Sequence, residues 1–109
     1  MLYIDVTWHH DDPAYPVRLV SELDENRWEH RKLEFYRDGR VGKASKAGAT
    51  LDTALGTEPI PSIEDINSDR QFSARPMECD AFEGLWLDQS QDKIRYGKVR
   101  LRPEADVRI

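Results

Sequence analysis

Leu2, Ile4, Val6 and Trp8 alternate with Tyr3, Asp5 and Thr7, and this period of two limits the fold more than any other feature. A helix repeats every 3.6 residues and cannot keep such an alternation on one face; a strand does so by geometry. The pattern recurs. After Pro16, Val17, Leu19, Ser21 and Leu23 share one parity. In residues 27–36, Leu33 and Phe35 fall on one face and Trp28, His30, Lys32, Glu34 and Tyr36 on the other. Turn-forming residues separate these runs: His9-His10-Asp11-Asp12-Pro13 ends the first and Asp24-Glu25-Asn26 the second. Asp38-Gly39 then signals a hairpin with a two-residue type I′ turn. That turn pairs Tyr36 with Val41, Phe35 with Gly42 and Glu34 with Lys43. The last pair is a cross-strand charge match of the kind that adds a few tenths of a kcal/mol.

The second half changes character. Residues 45–61 are rich in Gly, Thr and Pro and read as a long loop. Ser62, with Asp65 three residues on, is the expected cap of a short helix that presents Ile63 and Ile66 on one side. Phe72 and Met77 flank a short extended piece that Pro76 weakens as a central strand. Asp80 with Glu83 resembles a capping box for a second helix, whose apolar stripe is Phe82, Leu85 and Trp86. Gly84 inside it suggests a close packing contact. The expected fold is therefore α+β: a single domain with an antiparallel sheet of three to four strands and two short helices packed on one face.

A chain of 109 residues holds one domain with a modest core. The domain is expected over residues 1–90. Residues 91–109 form a basic C-terminal extension that reads as an extra strand or an arm. Charge divides at the same point. Residues 1–90 hold ten Lys/Arg against eighteen Asp/Glu; residues 91–109 hold six against three. An acidic body repels nucleic acid and favours basic partners. The basic tail offers a route to a homodimer through a neighbour's acidic sheet. No apolar run approaches a membrane span, and the N-terminus lacks a signal-peptide pattern, so a cytoplasmic protein is expected. Cys79 is the single cysteine, which excludes intramolecular disulfides and cysteine-pair zinc knuckles.

Several short motifs occur in order: W-x-H-D-x-P-x-x-P-V from Trp8 to Val17, SELDENRWEHRK from Ser21 to Lys32, a DG-x-x-G-x-AS segment reaching Ser45, and EPIPSIEDIN from Glu58 to Asn67. Through them the first ninety residues resemble a family of small uncharacterised bacterial proteins. The resemblance implies a small acidic domain of a kind found among toxin-immunity genes. It assigns no residue a catalytic role.

Candidate functional residues follow from the pattern of faces. Trp28, His30 and Tyr36 would form an exposed aromatic patch if helices cover only the Leu33/Phe35 face, and such a patch suggests a binding surface. His9 and His10 point to opposite sides of an extended chain and do not chelate one ion together, so neither a metal nor a cofactor is expected. His10 and Asp11 remain the pair of interest. The leading expectation is a soluble, non-enzymatic binding protein, in its most specific form an immunity-type protein for a basic toxin. The alternative is an enzyme or small-ligand binder with a pocket lined by His10, Asp11, Glu22 and His30.

Overall fold

A computed structural model of the chain describes residues 1–92, with side chains through residue 89. The basic extension from residue 93 onward, and with it the expected extra strand or arm, lies outside the described residues. The elements are β1 (Leu2–Trp8), β2 (Arg18–Leu23), β3 (Glu29–Phe35), β4 (Val41–Ser45), β5 (Gly48–Ala49), α1 (Ile63–Asn67), β6 (Phe72–Pro76) and α2 (Cys79–Asp92).

The sheet has six strands in the order β5-β4-β3-β2-β1-β6, and every neighbouring pair is antiparallel. The expected three to four strands are all present. The two extra ones escape a periodicity argument for clear reasons. β5 is two residues long, too short to show alternation. β6 ends on Pro76 and sits at the edge, where the missing N–H costs no ladder bond.

The helices lie on opposite faces of the sheet, which corrects the expectation that both pack on one. Phe82 of α2 is buried against Val20 and Leu33, with Leu85 and Trp86 beside it. Ile63 and Ile66 of α1 pack against Ile4, Val6, Leu23 and Ala74, with Leu19. Leu19 and Val20 are adjacent in β2 and so point to opposite sides. The sheet is apolar on both sides and needs a cover on each. On the α1 side, residues 50–61 complete the cover across β3 and β4. The expected open aromatic face is thus occupied.

The β2–β3 pairing contains a bulge. Glu22 opposes Arg31, but Leu23 opposes Glu29, which leaves His30 as the extra residue. The bulge reverses the alternation, so Glu29 instead of His30 turns toward the α1 side. The Glu29 side chain is 2% exposed there.

The β3–β4 hairpin is one residue out of the expected register: Phe35 opposes Val41, Glu34 opposes Gly42 and Leu33 opposes Lys43. A type I′ turn needs positive φ at two residues. Only Gly39 provides it, at φ 98°. The loop is therefore the three-residue form with a glycine bulge, closed by Tyr36 N–H to the Arg40 carbonyl (2.9 Å) and Gly39 N–H to the Tyr36 carbonyl (3.0 Å). Asp38 accepts from the Arg40 backbone N–H and guanidinium, which stabilises this form. The Glu34–Lys43 match is lost. Glu34 instead accepts from the Thr53 hydroxyl at 3.1 Å, and a Cβ at Gly42 would overlap that same hydroxyl.

Ser62 caps α1 as expected, its hydroxyl accepting from Asp65 N–H at 3.1 Å. α2 begins at Cys79, so Asp80 lies within the first turn, where its charge suits the helix dipole. Gly84 faces open space, and the close contact expected of it does not exist.

The β6 edge is closed by side chains. Ala74 donates its N–H to Asn67 Oδ1 (2.6 Å) and accepts from Asn67 Nδ2 (3.0 Å). Phe72 N–H donates to the Asp69 carbonyl at 3.0 Å. Pro76 has no N–H to leave open.

Candidate functional site

On the α2 side the charged groups close on one another. Arg31 donates twice to Glu22, at 2.8 and 2.7 Å, and twice more to Glu83 on α2. Its guanidinium lies 4.9 Å from the Phe82 ring centroid and 5.1 Å from that of Trp86. Tyr3 donates to Glu22 at 3.0 Å. The Arg31 guanidinium, with help from Tyr3, holds the Glu22 carboxyl below the usual carboxylate range. Asp5 is 4% exposed and accepts from Arg18 twice and from Arg75 once. Burial alone would raise the Asp5 carboxyl; these arginine contacts outweigh it and lower it. A carboxylate so engaged is a poor general base, because its lone pairs are already committed.

The α1 side is built differently. Arg27, in the left-handed region at φ 68°, donates to the carbonyls of Ile60 (2.7 Å) and Pro61 (2.6 Å) and accepts the Ile60 N–H at its own carbonyl. Buried Glu29 accepts from Ser21 (2.8 Å) and from Gly56 N–H (2.6 Å), with Lys32 Nζ 3.0 Å away. Lys32 also donates to the Ala54 carbonyl. Arg27, Glu29, Lys32 and Glu34, all in or beside β3, thus fasten the long segment across the sheet.

Among the described residues, two of the cavities lie beneath and beside this cover, and Leu19 borders both. The larger, about 570 Å³, has a floor of Ile4, Val6 and Leu19 and walls from Ile60, Ile66 and Phe72. Ser21, Glu29 and Lys32 form its polar end, and Asp65 and Asp69 stand on its border. Its size falls in the range of ligand sites. The smaller, about 400 Å³, is walled by Trp8, Tyr15 and Tyr36 and carries Glu34, Arg40 and Asp52. Trp8 and Tyr15 have ring centroids 5.6 Å apart. Leu51 and Asp52 both take positive φ, 52° and 58°, at its border. Non-glycine residues pay about 1–2 kcal/mol each for that conformation. Burial, then the Glu34 carboxylate, raise the Tyr36 hydroxyl above the usual phenol range.

The residues expected to act are scattered. His10 is folded against Trp8, with ring centroids 4.6 Å apart. Asp12 N–H donates to its Nδ1 at 3.0 Å, which makes Nε2 the protonated nitrogen; that N–H donates to the Pro16 carbonyl at 2.8 Å. Both ring nitrogens are therefore committed to holding the turn. Asp11 is exposed and has no hydrogen-bond partner among the described residues. Glu22 belongs to the α2 side. His30 Nε2 lies 3.0 Å from Asp24 Oδ2 and closes the β2–β3 turn; this contact and the Trp28 and Asn26 amides lower the Asp24 carboxyl. None of His10, Asp11, Glu22 and His30 borders either cavity. Trp28, 42% exposed, precedes β3, and Tyr36 follows it. At ~3.3 Å per residue they are roughly 25 Å apart and share no patch. Of the expected residues, Tyr36 alone borders either of these two cavities. Glu29, Lys32, Asp65 and Asp69 were not among the residues expected to bind. The bulge that turns Glu29 inward leaves no mark in the residue pattern. Among the described residues no three His, Cys, Asp or Glu side chains gather as metal ligands.

The chain has no match among curated proteins and none among solved structures. A family profile described as "Domain of unknown function (DUF6881)" matches residues 2–91. The match runs from the first residue of β1 almost to the end of α2, and the chain belongs to this family.

Proposed function

We propose that this chain is a small non-enzymatic binding protein of the immunity type, and that its α1 side recognises a basic protein partner. The observation that carries the reading is the placing of unpaired charge beside apolar space. Asp65 and Asp69 border the larger cavity, and both are exposed. They belong to residues 57–69, which hold four carboxylates and no Lys or Arg. Asp5, Glu22 and Glu29, by contrast, are tied to cations. A partner that seats an apolar side chain in the cavity and sets Lys or Arg against its border gains both apolar burial and charge complementarity.

The test is purification with the product of the adjacent gene. The expected result is a complex whose affinity falls with salt and drops about tenfold or more in Asp65→Lys/Asp69→Lys. A neighbour that neither binds nor is neutralised sinks the immunity reading. A small-ligand reading also stands, favoured by the volume of about 570 Å³. Its lining is then Ser21, Glu29 and Lys32 with the apolar walls, in place of His10, Asp11, Glu22 and His30. A ligand retained by the wild type and lost in Leu19→Trp would favour it.

A further inference from the structure

The smaller cavity differs in composition from the larger one, whose walls are mainly aliphatic. Three aromatic rings, Trp8, Tyr15 and Tyr36, stand around it with two carboxylates, Glu34 and Asp52. We propose that this cavity binds a quaternary or multiply methylated ammonium group.

Aromatic faces carry negative potential and attract a cation without hydrogen bonding to it, which suits a group that has no N–H to donate. A carboxylate nearby supplies the opposite charge. Both carboxylates are free to do so. Glu34 makes a single hydrogen bond, to Thr53, and has no ion-pair partner among the described residues. Asp52 has neither among those residues. The cation in the wall, Arg40, is paired with Asp38 at 2.8 Å on the surface. Its guanidinium sits 4.6 Å from the Tyr36 ring centroid, so a ligand cation would have to share or displace that contact. The volume of about 400 Å³ exceeds what a trimethylammonium head needs, and the chain attached to the head can leave past exposed Tyr15. A neutral apolar ligand would instead favour the larger cavity, where aliphatic walls predominate. The proposal stands apart from the protein-partner reading and survives its failure.

The test is titration of the ¹⁵N-labelled full chain with choline, with its neutral carbon isostere 3,3-dimethylbutan-1-ol, and with a short trimethyl-lysine peptide. The reporter is the Trp8 indole N–H, which is buried without a hydrogen-bond partner and is assigned with Trp8→Phe. Choline or the peptide should shift it in the millimolar range, and the isostere should bind about tenfold more weakly. The tighter of the two cationic probes identifies the source as a free small molecule or a modified side chain. Tyr36→Phe should keep affinity within about threefold, whereas Tyr36→Leu and Asp52→Asn should weaken it, the former about tenfold. Tyr15→Leu, at a 52% exposed position, gives the same loss should Tyr36→Leu fail to fold. Silence with both cationic probes at tens of millimolar overturns the proposal. So does equal binding of the neutral isostere.

Discussion

The two sides of the sheet use the same kinds of charged residue to opposite ends. On the α2 side, Arg31 sits between Glu22 and Glu83 and stacks near Phe82 and Trp86, so strand and helix are joined by charge and ring together. On the α1 side, Glu29 and Lys32 hold an irregular segment by its backbone, at Gly56 N–H and the Ala54 carbonyl. Side chains packed on side chains leave little room. Side chains tethering backbone leave space, and both larger cavities lie on that side. The α2 side is joined by side chains, and the α1 side, tethered through backbone, is the one on which the proposed recognition rests.

The largest effect should come from the α2 side. Phe82 is fully buried, and Phe82→Ala should cost about 3–5 kcal/mol. Denaturant unfolding measures this; a loss under 1 kcal/mol would mean that α2 is not essential to the core. Next, Arg31→Ala leaves Glu22 facing the protein without its cation. The pair is only partly shielded, so the cost should be about 2 kcal/mol, felt by the whole domain. Glu29→Ala should cost about 1–2 kcal/mol, but its mark should be local: faster amide exchange and proteolysis within residues 50–61 while the sheet core stays protected. If exchange rises evenly across the sheet, the contrast between the sides is wrong.

Acid sharpens the comparison further. Asp5 and Glu22 have folded-state pKa values lowered by their arginines. Each is more readily ionised in the folded chain than in the unfolded one. Their contribution is therefore present above the unfolded carboxylate pKa of about 4 and is lost as pH falls through the folded value. An acid titration should show destabilisation beginning near pH 4, flattened in Asp5→Asn. A curve in Asp5→Asn that matches the wild type would remove this account. The smallest effect should be a gain: Gly84 meets open space on α2, and Gly84→Ala should stabilise by about 0.5–1 kcal/mol in thermal unfolding.

What could be read in the sequence divides along similar lines. Leu2 to Trp8 and the Ser62 cap were legible because each rests on a local rule, alternation in one case and a side chain bonding an amide three residues on in the other. The family resemblance pointed to a domain of unknown function, and the profile match over residues 2–91 agrees with it. The face of Glu29 was not legible. It depends on a bulge at His30, which is settled by how β2 and β3 pair across the sheet. Asp38-Gly39 was a sound turn signal, yet the choice between turn types lay in the backbone angle of Asp38, and one residue of register followed from it. That Trp28, His30 and Tyr36 do not form one patch has a simpler reason. Trp28 and Tyr36 share a parity, but they lie at opposite ends of β3, and parity carries no information about distance along a strand.

Asn67 has a consequence for how this molecule chooses company. Strand addition reads backbone, and backbone is nearly the same in every protein, so an open edge accepts partners with little regard to sequence. By placing its amide on Ala74, Asn67 withdraws the β6 edge from that promiscuous contact. At the far side Thr50 holds both backbone groups of Lys43, and β5 offers only two residues. With both edges so occupied, the proposed partner would have to be met by shape and charge and not by strand pairing, and Asn67→Ala should reopen the β6 edge to self-association, visible as a concentration-dependent rise in sedimentation.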